Sequence, residues 1–144
     1  MADISEKKIT KRTAIASAQI HMGREAFAAF RKGHSPKGDI LETAKISGII
    51  AAKFTPSLIP FCHPLELNKV HLSFEVDGEG CLVKIFSEVV CLGRTGVEME
   101  ALTAVSIAAL TIYDMMKWAD KGMVISHVRL LKKTGGKSGT YEKK

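Results

Sequence analysis

The sequence predicts an α+β sandwich, an antiparallel sheet with helices packed on one face, near the split-βαβ arrangement. Two segments of alternating hydrophobicity, residues 70–76 and 82–90, are joined by the turn residues 77–80 and indicate a β-hairpin. Apolar residues at helical spacing over residues 40–54 and a long apolar run at 101–113 indicate two helices. With the remaining segments the predicted order is β-α-α-β-β-α-β, in which helices interrupt the sheet.

The first half of the chain is predicted to hold one strand and two helices. Residues 9–20 contain β-branched and apolar residues with Arg and Lys between them, which indicates a strand. Apolar side chains at helical spacing predict a helix over residues 22–32. Asp39 can cap the helix that follows, and Thr55-Pro56-Ser57 is expected to break it.

The second half adds the hairpin, a long helix that opens at about Thr95, and a last strand over residues 123–131. Val124, Val128 and Leu130 are expected to share one face of this strand. The glycine-rich and basic residues 132–144 are predicted to form a flexible tail.

Length and composition indicate one globular domain that covers residues 1–144. Hydrophobic residues make up 46% and charged residues 25% of the chain, which are ordinary values for a globular protein. The three cysteines form no CxxC pair, so a reduced, cytoplasmic setting is expected rather than a disulfide framework or a structural zinc site. The polar first ten residues do not resemble a secretory signal.

Positive charge is concentrated at the C-terminus. The chain carries a net charge of +6, and residues 129–144 account for +5 of it. Such a segment suits phosphate groups, either of a nucleotide or of a nucleic acid, although a solvated tail explains it equally well. No aromatic residues interleave with these cations, which argues against a stacking platform for single-stranded nucleic acid.

The long helix carries charged residues only at its ends. The thirteen residues 101–113 carry no charge and are too few to span a bilayer, which needs roughly 20 residues. Glu98 and Glu100 precede the run, and Asp114 and Lys117 follow it. Because Glu100 and Asp114 are about 21 Å apart along a helix, they cannot reach one small ligand within the same subunit. Either neighbouring chains bring opposite helix ends into one site, or each acid only caps or solvates its own end.

Several short motifs are candidates for chemistry. Pro60 and Pro64 bracket Phe61-Cys62-His63, so this loop should be stiff and hold His63 in place, in a structural or a functional role. Asp114 and Lys117 face together at i, i+3 and form either a surface pair or a proton-transfer pair in a partly dry pocket. Glu98 and Glu100 either cap the helix or accept hydrogen bonds from a donor-rich group such as the edge of a guanine-like ring.

The tail sequence Gly135-Gly136-Lys137-Ser138 is similar to the end of a phosphate loop. The full pattern needs an earlier glycine where this chain has Leu131, and it also needs a following helix, so a Walker-type NTPase is not expected. What remains is a glycine-rich tail whose amides and Lys137 could fold over an anion, or a free tail.

Three long motifs together resemble the molybdenum cofactor biosynthesis protein C family. They are LIPFCHPLELNKV at residues 58–70, GRTGVEMEALTAVSIAALTIYDMMKWADKGM at 93–123, and VRLLKKTGGKSG at 128–139. The upstream stretch KGDILETAKISGIIAAK is also similar, so the resemblance covers residues 3–141. Phe61 stands where the family usually has leucine, and Arg94 where lysine is common.

The resemblance implies a lyase that makes cyclic pyranopterin monophosphate. The substrate would be a cyclised dihydroguanosine triphosphate, which a radical enzyme makes from GTP, and pyrophosphate would leave. The family fold is a ferredoxin-like α+β sandwich. Its members form hexamers, trimers of dimers with active sites at subunit interfaces. No cofactor is required, no protein ligands for a metal are expected, and Mg²⁺ could accompany the phosphates.

The family's functional residues can be placed by their positions in these motifs. Asp114 and Lys117 would be the acid/base pair. Further residues would bind substrate: Phe61, Cys62, His63, Glu98, Met99, Glu100, Lys37, Arg12 and Lys137. Lys37, Arg12 and Lys137 would contact the triphosphate and offset charge as pyrophosphate departs.

Two other functions are compatible with the residues alone. A basic RNA-binding protein without catalysis would bind unrelated RNA in a salt-dependent way. A purely structural oligomer would keep all its properties when Asp114, Lys117 and His63 are replaced. Neither nucleic acid nor a membrane is the expected partner.

Overall fold

The computed structural model describes residues 1–33 and 35–144. The elements of this part of the chain are β1 (Thr10–His21), α1 (Arg24–Arg31), α2 (Ile40–Leu58), β2 (Leu67–Asp77), β3 (Leu82–Gly93), α3 (Glu98–Met116), β4 (Val124–Thr134) and β5 (Tyr141–Glu142). The strands form one antiparallel sheet in the order β2-β3-β1-β4-β5. This is the predicted α+β architecture, and β1 to β4 follow the order of a ferredoxin-like sheet.

The core lies between the sheet and the helices α2 and α3. On the inner face of β1, Ala14, Ala16, Ala18 and Ile20 are completely buried. Three of these four side chains are methyl groups, so α3 can approach the middle of the sheet closely. Helix α3 packs against β1, β3 and β4, while α2 packs beside it and against β2.

Helix α3 is apolar on most of its circumference because it is the central core helix. Ten of its nineteen residues are buried, including Ala104, Ala108 and Ile112. Within the described residues it is also the one helix whose length and composition would suffice to cross a membrane. Its burial against the sheet and α2 accounts for that composition.

Helix α2 continues beyond the predicted break. It runs through Pro56 to Leu58. Pro56 lies in the last turn, where its missing N–H removes one intrahelical bond and does not stop the helix. The Thr55 hydroxyl donates to the carbonyl oxygen of Ala51 at 3.2 Å, and the Ile59 N–H bonds the carbonyl oxygen of Thr55. The start of the helix is as predicted, because the Asp39 carboxylate accepts the Glu42 N–H at 2.9 Å.

Strand β4 departs from the prediction in two ways. It is interrupted by shifts of register against β1, and His127 near one of them has a positive φ of 53°. Val124 and Val128 are consequently exposed, whereas Leu130 packs on the core, so the predicted shared face was wrong. The strand also runs to Thr134 and pairs with the short β5, so part of the predicted tail belongs to the sheet. The flexibility of the remaining tail stays a prediction.

Candidate active site

The C-terminal end of α3 carries a carboxylate shared by two lysines. The Lys117 Nζ donates to Asp114 Oδ1 at 2.8 Å, and the Lys37 Nζ donates to Asp114 Oδ2 at 2.5 Å. Lys37 comes from the loop before α2, and Ser35 fastens that loop by donating to the Met115 carbonyl oxygen at 3.2 Å. We call Lys37, Asp114 and Lys117 the lysine–aspartate cluster.

Pairing, rather than burial, sets the charges of this cluster. The hydrogen bonds from Lys117 and then Lys37 lower the pKa of Asp114 to about 2. The same contact with Asp114 raises the pKa of Lys117. About half of each side chain is exposed, so the partly dry pocket predicted for this pair is not present within one chain. At neutral pH Lys117 can donate a proton. Asp114 can accept one after one of its two hydrogen bonds from lysine is broken.

The N-terminal end of α3 closes a small pocket of about 140 Å³. It is lined by Phe61, Cys62, His63, Leu65, Thr95, Gly96, Glu98, Met99 and Glu100. Six of these were predicted to bind substrate, and the fold brings the two segments that carry them together. We call this cavity the Glu100 pocket.

Glu100 is the least expected feature of that pocket. Its side chain is only 3% exposed, and Oε2 has no hydrogen-bond partner among the described residues. Burial, with a smaller contribution from the charge of Glu98, raises the pKa of Glu100. A carboxylate that merely solvates a helix end would face water. An unpartnered buried oxygen instead suits a ligand that brings its own N–H donors.

The neighbouring loop presents three different side chains. Phe61 is 76% exposed. Burial, followed by the nearby charge of Glu100, raises the pKa of Cys62, which therefore stays an uncharged thiol at neutral pH. His63 donates its Nε2 hydrogen to the Ala2 carbonyl oxygen at 2.8 Å. The stiff loop thus holds His63 beside the start of the chain.

Arg12 and Lys137 line a second cavity, of about 660 Å³. The Arg12 guanidinium donates to the carbonyl oxygens of Gly93 and Arg94, at 3.3 and 3.2 Å, just before α3. Gly136 has a positive φ of 76°, and a side chain there would collide with the Arg12 guanidinium. The tail glycine is therefore needed for the tail to cover Arg12. We call this cavity the basic pocket.

Two groups of cations are thus separated within one chain. Lys37 lies with Asp114 at the C-terminal end of α3, whereas Arg12 and Lys137 lie near its N-terminal end. The sequence analysis had predicted that Lys37, Arg12 and Lys137 all contact the triphosphate. It had overlooked Lys7, Lys8 and Thr10, which also line the basic pocket. The signal for them was available, because Thr10 and Arg12 must share one face of a strand and two lysines precede them.

The described side chains hold no cluster suited to a metal ion. In residues 1–33 and 35–144, His, Cys, Asp and Glu form no group of three or more that could hold a metal ion. All three cysteines are free thiols. The participation of Mg²⁺ with the phosphates stays a prediction.

Comparison with known proteins places the chain in a family. The MoaC family profile matches residues 1–136. A protein of Listeria monocytogenes named "Cyclic pyranopterin monophosphate synthase" is 58% identical over 142 residues, which cover 99% of this chain and 88% of the relative. A protein of the same name from Heliobacterium modesticaldum is 55% identical, over 98% of this chain and 89% of the relative. Another from Thermoanaerobacter pseudethanolicus is 50% identical, over 99% of this chain and 90% of the relative. The chain therefore belongs to the MoaC family.

Proposed function

We propose that this chain is a cyclic pyranopterin monophosphate synthase of molybdenum cofactor biosynthesis. It converts the cyclised dihydroguanosine triphosphate into cyclic pyranopterin monophosphate and releases pyrophosphate. The observation that carries the proposal is the full-length similarity to synthases at 50–58% identity. The reaction rearranges a guanine-derived ring and expels a polyanion, so it needs groups that bind ring N–H donors, groups that move protons, and cations.

Each of these needs is met by one part of the site. The buried Glu100 oxygen accepts from ring N–H groups, and its burial favours a donor-rich ligand. Lys117 and Asp114 transfer the protons of ring opening and pterin formation. Arg12 and Lys137 bind phosphate oxygens and offset the charge that develops on the leaving pyrophosphate. Lys37 neutralises Asp114 in the absence of substrate and becomes available to phosphate when substrate enters.

A complete site requires two chains. Glu100 and Asp114 lie at opposite ends of α3, about 21 Å apart along its axis. The lysine–aspartate cluster of one chain is half exposed, which leaves it open to a neighbour. We therefore place each active site between subunits, and the resemblance to the family implies that these subunits form a hexamer, a trimer of dimers. This arrangement would also remove the cluster from water, and that desolvation would act against the ion pairing by raising the pKa of Asp114 and lowering the pKa of Lys117.

An apolar stripe on α2 supports this assembly. Its members follow one another at intervals of four residues and are exposed by 56%, 49%, 58% and 55%: Ile46, Ile50, Phe54 and Leu58. Such a row of large apolar side chains along one helix is typical of a surface that another subunit covers. We call it the α2 stripe.

The partners and location follow from the pathway. The substrate is a small nucleotide-derived molecule supplied by a radical enzyme that cyclises GTP. Neither nucleic acid nor a membrane takes part, and Mg²⁺ would arrive with the phosphates. Three free thiols fit the reducing cytoplasm in which we place the protein.

The decisive experiment is incubation with the cyclised triphosphate, with pyrophosphate measured directly and the pterin measured by fluorescence after oxidation. The wild-type chain should release both in equal amounts. Lys117→Ala should reduce turnover by at least about 100-fold, since it removes a general acid. It should leave the fold of the chain unchanged, because Lys117 is half exposed in one chain and its ion pair contributes little to folding.

Lys45→Ala is the matched control. Lys45 forms an ion pair with Glu42 at the same i, i+3 spacing, on α2 and outside the site. This variant should keep full turnover. Wild-type protein that releases no pyrophosphate, yet binds unrelated RNA in a salt-dependent way, would favour the RNA-binding function instead.

A further inference from the structure

The start of the chain lies across both pockets at the N-terminal end of α3. The Ala2 carbonyl oxygen accepts from His63 of the Glu100 pocket, and the Ser5 carbonyl oxygen accepts from Arg94. Asp3 stabilises the turn between these two contacts by accepting the Ser5 N–H at 2.9 Å. Residues 2–8, which we call the N-terminal segment, are therefore fixed at two points and form a wall of the basic pocket.

The N-terminal segment adds charge to that pocket. Lys7 and Lys8 line it together with Arg12 and Lys137, and Glu6 is the one carboxylate among the lining residues. The lining consequently carries a net charge of +3 from the described side chains. A polyphosphate, which bears several negative charges on a short chain, is the type of ligand that such a lining attracts.

Thr10 provides the second and independent observation. Its Oγ1 is buried against the pocket and has no hydrogen-bond partner among the described residues. Thr10 lies two residues before Arg12 on the inner face of β1, so both side chains point the same way. A buried hydroxyl is rarely left unpaired, and here it can donate to an oxygen of a ligand in the pocket.

The tail completes the enclosure. Gly135 and Gly136 both have positive φ values, of 94° and 76°, and any side chain at either position would meet the backbone of Lys11 or the guanidinium of Arg12. The tail therefore approaches β1 closely and brings Lys137 and Ser138 to the opposite wall. Cations from the N-terminal segment, β1 and the tail thus surround one cavity.

We propose that Lys7, Lys8 and Thr10 bind the terminal diphosphate of the substrate, and that the N-terminal segment binds it again as the pyrophosphate that the reaction forms. This inference rests on the proposed function and deepens it. It assigns to the N-terminal segment the recognition of the leaving group, while the Glu100 pocket recognises the ring.

The test measures binding of inorganic pyrophosphate by isothermal titration calorimetry, together with pyrophosphate inhibition of turnover. Lys7→Ala/Lys8→Ala should weaken pyrophosphate binding at least about 10-fold, because it removes two charge-assisted contacts. Thr10→Val should weaken it about 3- to 10-fold, and Thr10→Ser should restore it because the hydroxyl returns. KM for the cyclised triphosphate should rise in step with these losses, and kcat should change less.

Lys11→Ala is the matched control. Lys11 lies between Thr10 and Arg12 on β1, is exposed and points to the other face of the sheet. Its loss removes one positive charge from the same part of the chain without touching the pocket lining, so pyrophosphate binding should stay within about 2-fold of wild type. Circular dichroism and thermal melting establish that each variant is folded.

The outcomes separate this inference from the proposed function. If the lysine variants and Lys11→Ala weaken pyrophosphate binding equally, or if Thr10→Val binds like wild type, the inference is overturned while synthase activity stands. If wild-type protein binds pyrophosphate through Lys7, Lys8 and Thr10 but makes no pterin, the proposed function fails and the diphosphate site remains. A single-stranded RNA that competes with pyrophosphate and loses affinity in every lysine variant would indicate a general basic surface and overturn the inference.

Discussion

Asp114 shows how much of a site depends on contacts between distant parts of a chain. Its pairing with Lys117 follows from the i, i+3 spacing and could be predicted. Its second partner, Lys37, is 77 residues away and meets it only because the loop before α2 is fastened to the end of α3. The spacing of Asp114 and Lys117 therefore predicted their pairing. The second contact, from Lys37, could be identified only in the folded chain.

Lys37→Ala should raise the pKa of Asp114 from about 2 toward the ordinary value of 3.8. The lysine stabilises the ionised carboxylate, so its removal makes protonation easier. Because the pKa of Asp114 is lower in the folded chain, this pairing stabilises the fold above the unfolded pKa, and that contribution is lost as the pH falls toward 2. Carboxyl ¹³C chemical shifts, followed by NMR from pH 6 to the lowest pH at which the fold persists, measure the change.

Lys45→Ala provides the comparison for that titration, since it leaves both lysines of the lysine–aspartate cluster in place. Asp114 should titrate in it as in wild type. An unchanged Asp114 pKa in Lys37→Ala would mean that Lys117 alone sets the charge of the carboxylate.

The burial of Glu100 could not be predicted either. Hydrophobic patterning marked residues 101–113 as buried, and acidic residues at a helix start normally face solvent. Glu100 is enclosed because the Phe61-Cys62-His63 loop packs over the start of α3. The residues of the Glu100 pocket were found from their motifs, but the unpartnered oxygen at its centre depends on packing between segments about 40 residues apart.

At the scale of the elements, helix and strand types were predicted well and their ends less well. The alternation in β2 and the apolar run in α3 were strong signals because they come from the core face of each element. Pro56 was expected to break α2, yet the helix tolerates it in its last turn. In β4 the strand was predicted, but the expected common face of Val124, Val128 and Leu130 was wrong, because shifts of register against β1 break the alternation.

The packing of α2 on α3 depends on one glycine. A Cβ at Gly48 would lie 3.0 Å from the Ala104 carbonyl oxygen and would also press into Leu72. Gly48→Ala should therefore lower the free energy of unfolding by about 1–3 kcal/mol, although alanine is the better helix former. Urea denaturation measures the loss.

Lys53→Ala is the control for this helix. Lys53 is exposed on α2, and its replacement should change the free energy of unfolding by less than about 0.5 kcal/mol. A Gly48→Ala protein as stable as this control would show that α2 and α3 can move apart at no cost.

At the scale of the whole molecule, the separation of the two ends of α3 makes a prediction about mixed assemblies. Lys117→Ala and Glu100→Gln should each be inactive alone. Co-expressed in equal amounts, they should regain about a quarter of wild-type turnover, because one pocket in four then receives an intact end from each chain. Turnover per subunit, measured on co-purified tagged chains, checks this number.

Two further proteins keep that test decisive. Lys117→Ala mixed with Asp114→Asn should recover nothing, since both defects lie at the same end of α3. Phe54→Glu, which places a charge in the α2 stripe, should reduce the assembly size in analytical ultracentrifugation and abolish the recovery. If the first mixture stays inactive while the chains do associate, Glu100 and Lys117 do not serve one pocket between two chains.

A helix that serves a different pocket at each tip has a genetic consequence. A defect at one end of α3 inactivates a single pocket. A cell that carries one normal and one such allele in equal dosage therefore keeps about half of its pockets active. A chain damaged at both ends inactivates two pockets, so a cell with one normal and one such allele keeps only about a quarter of its pockets active. The severity of an allele would thus depend on whether it damages one end of α3 or both, and alleles that damage both ends would be the more strongly dominant-negative.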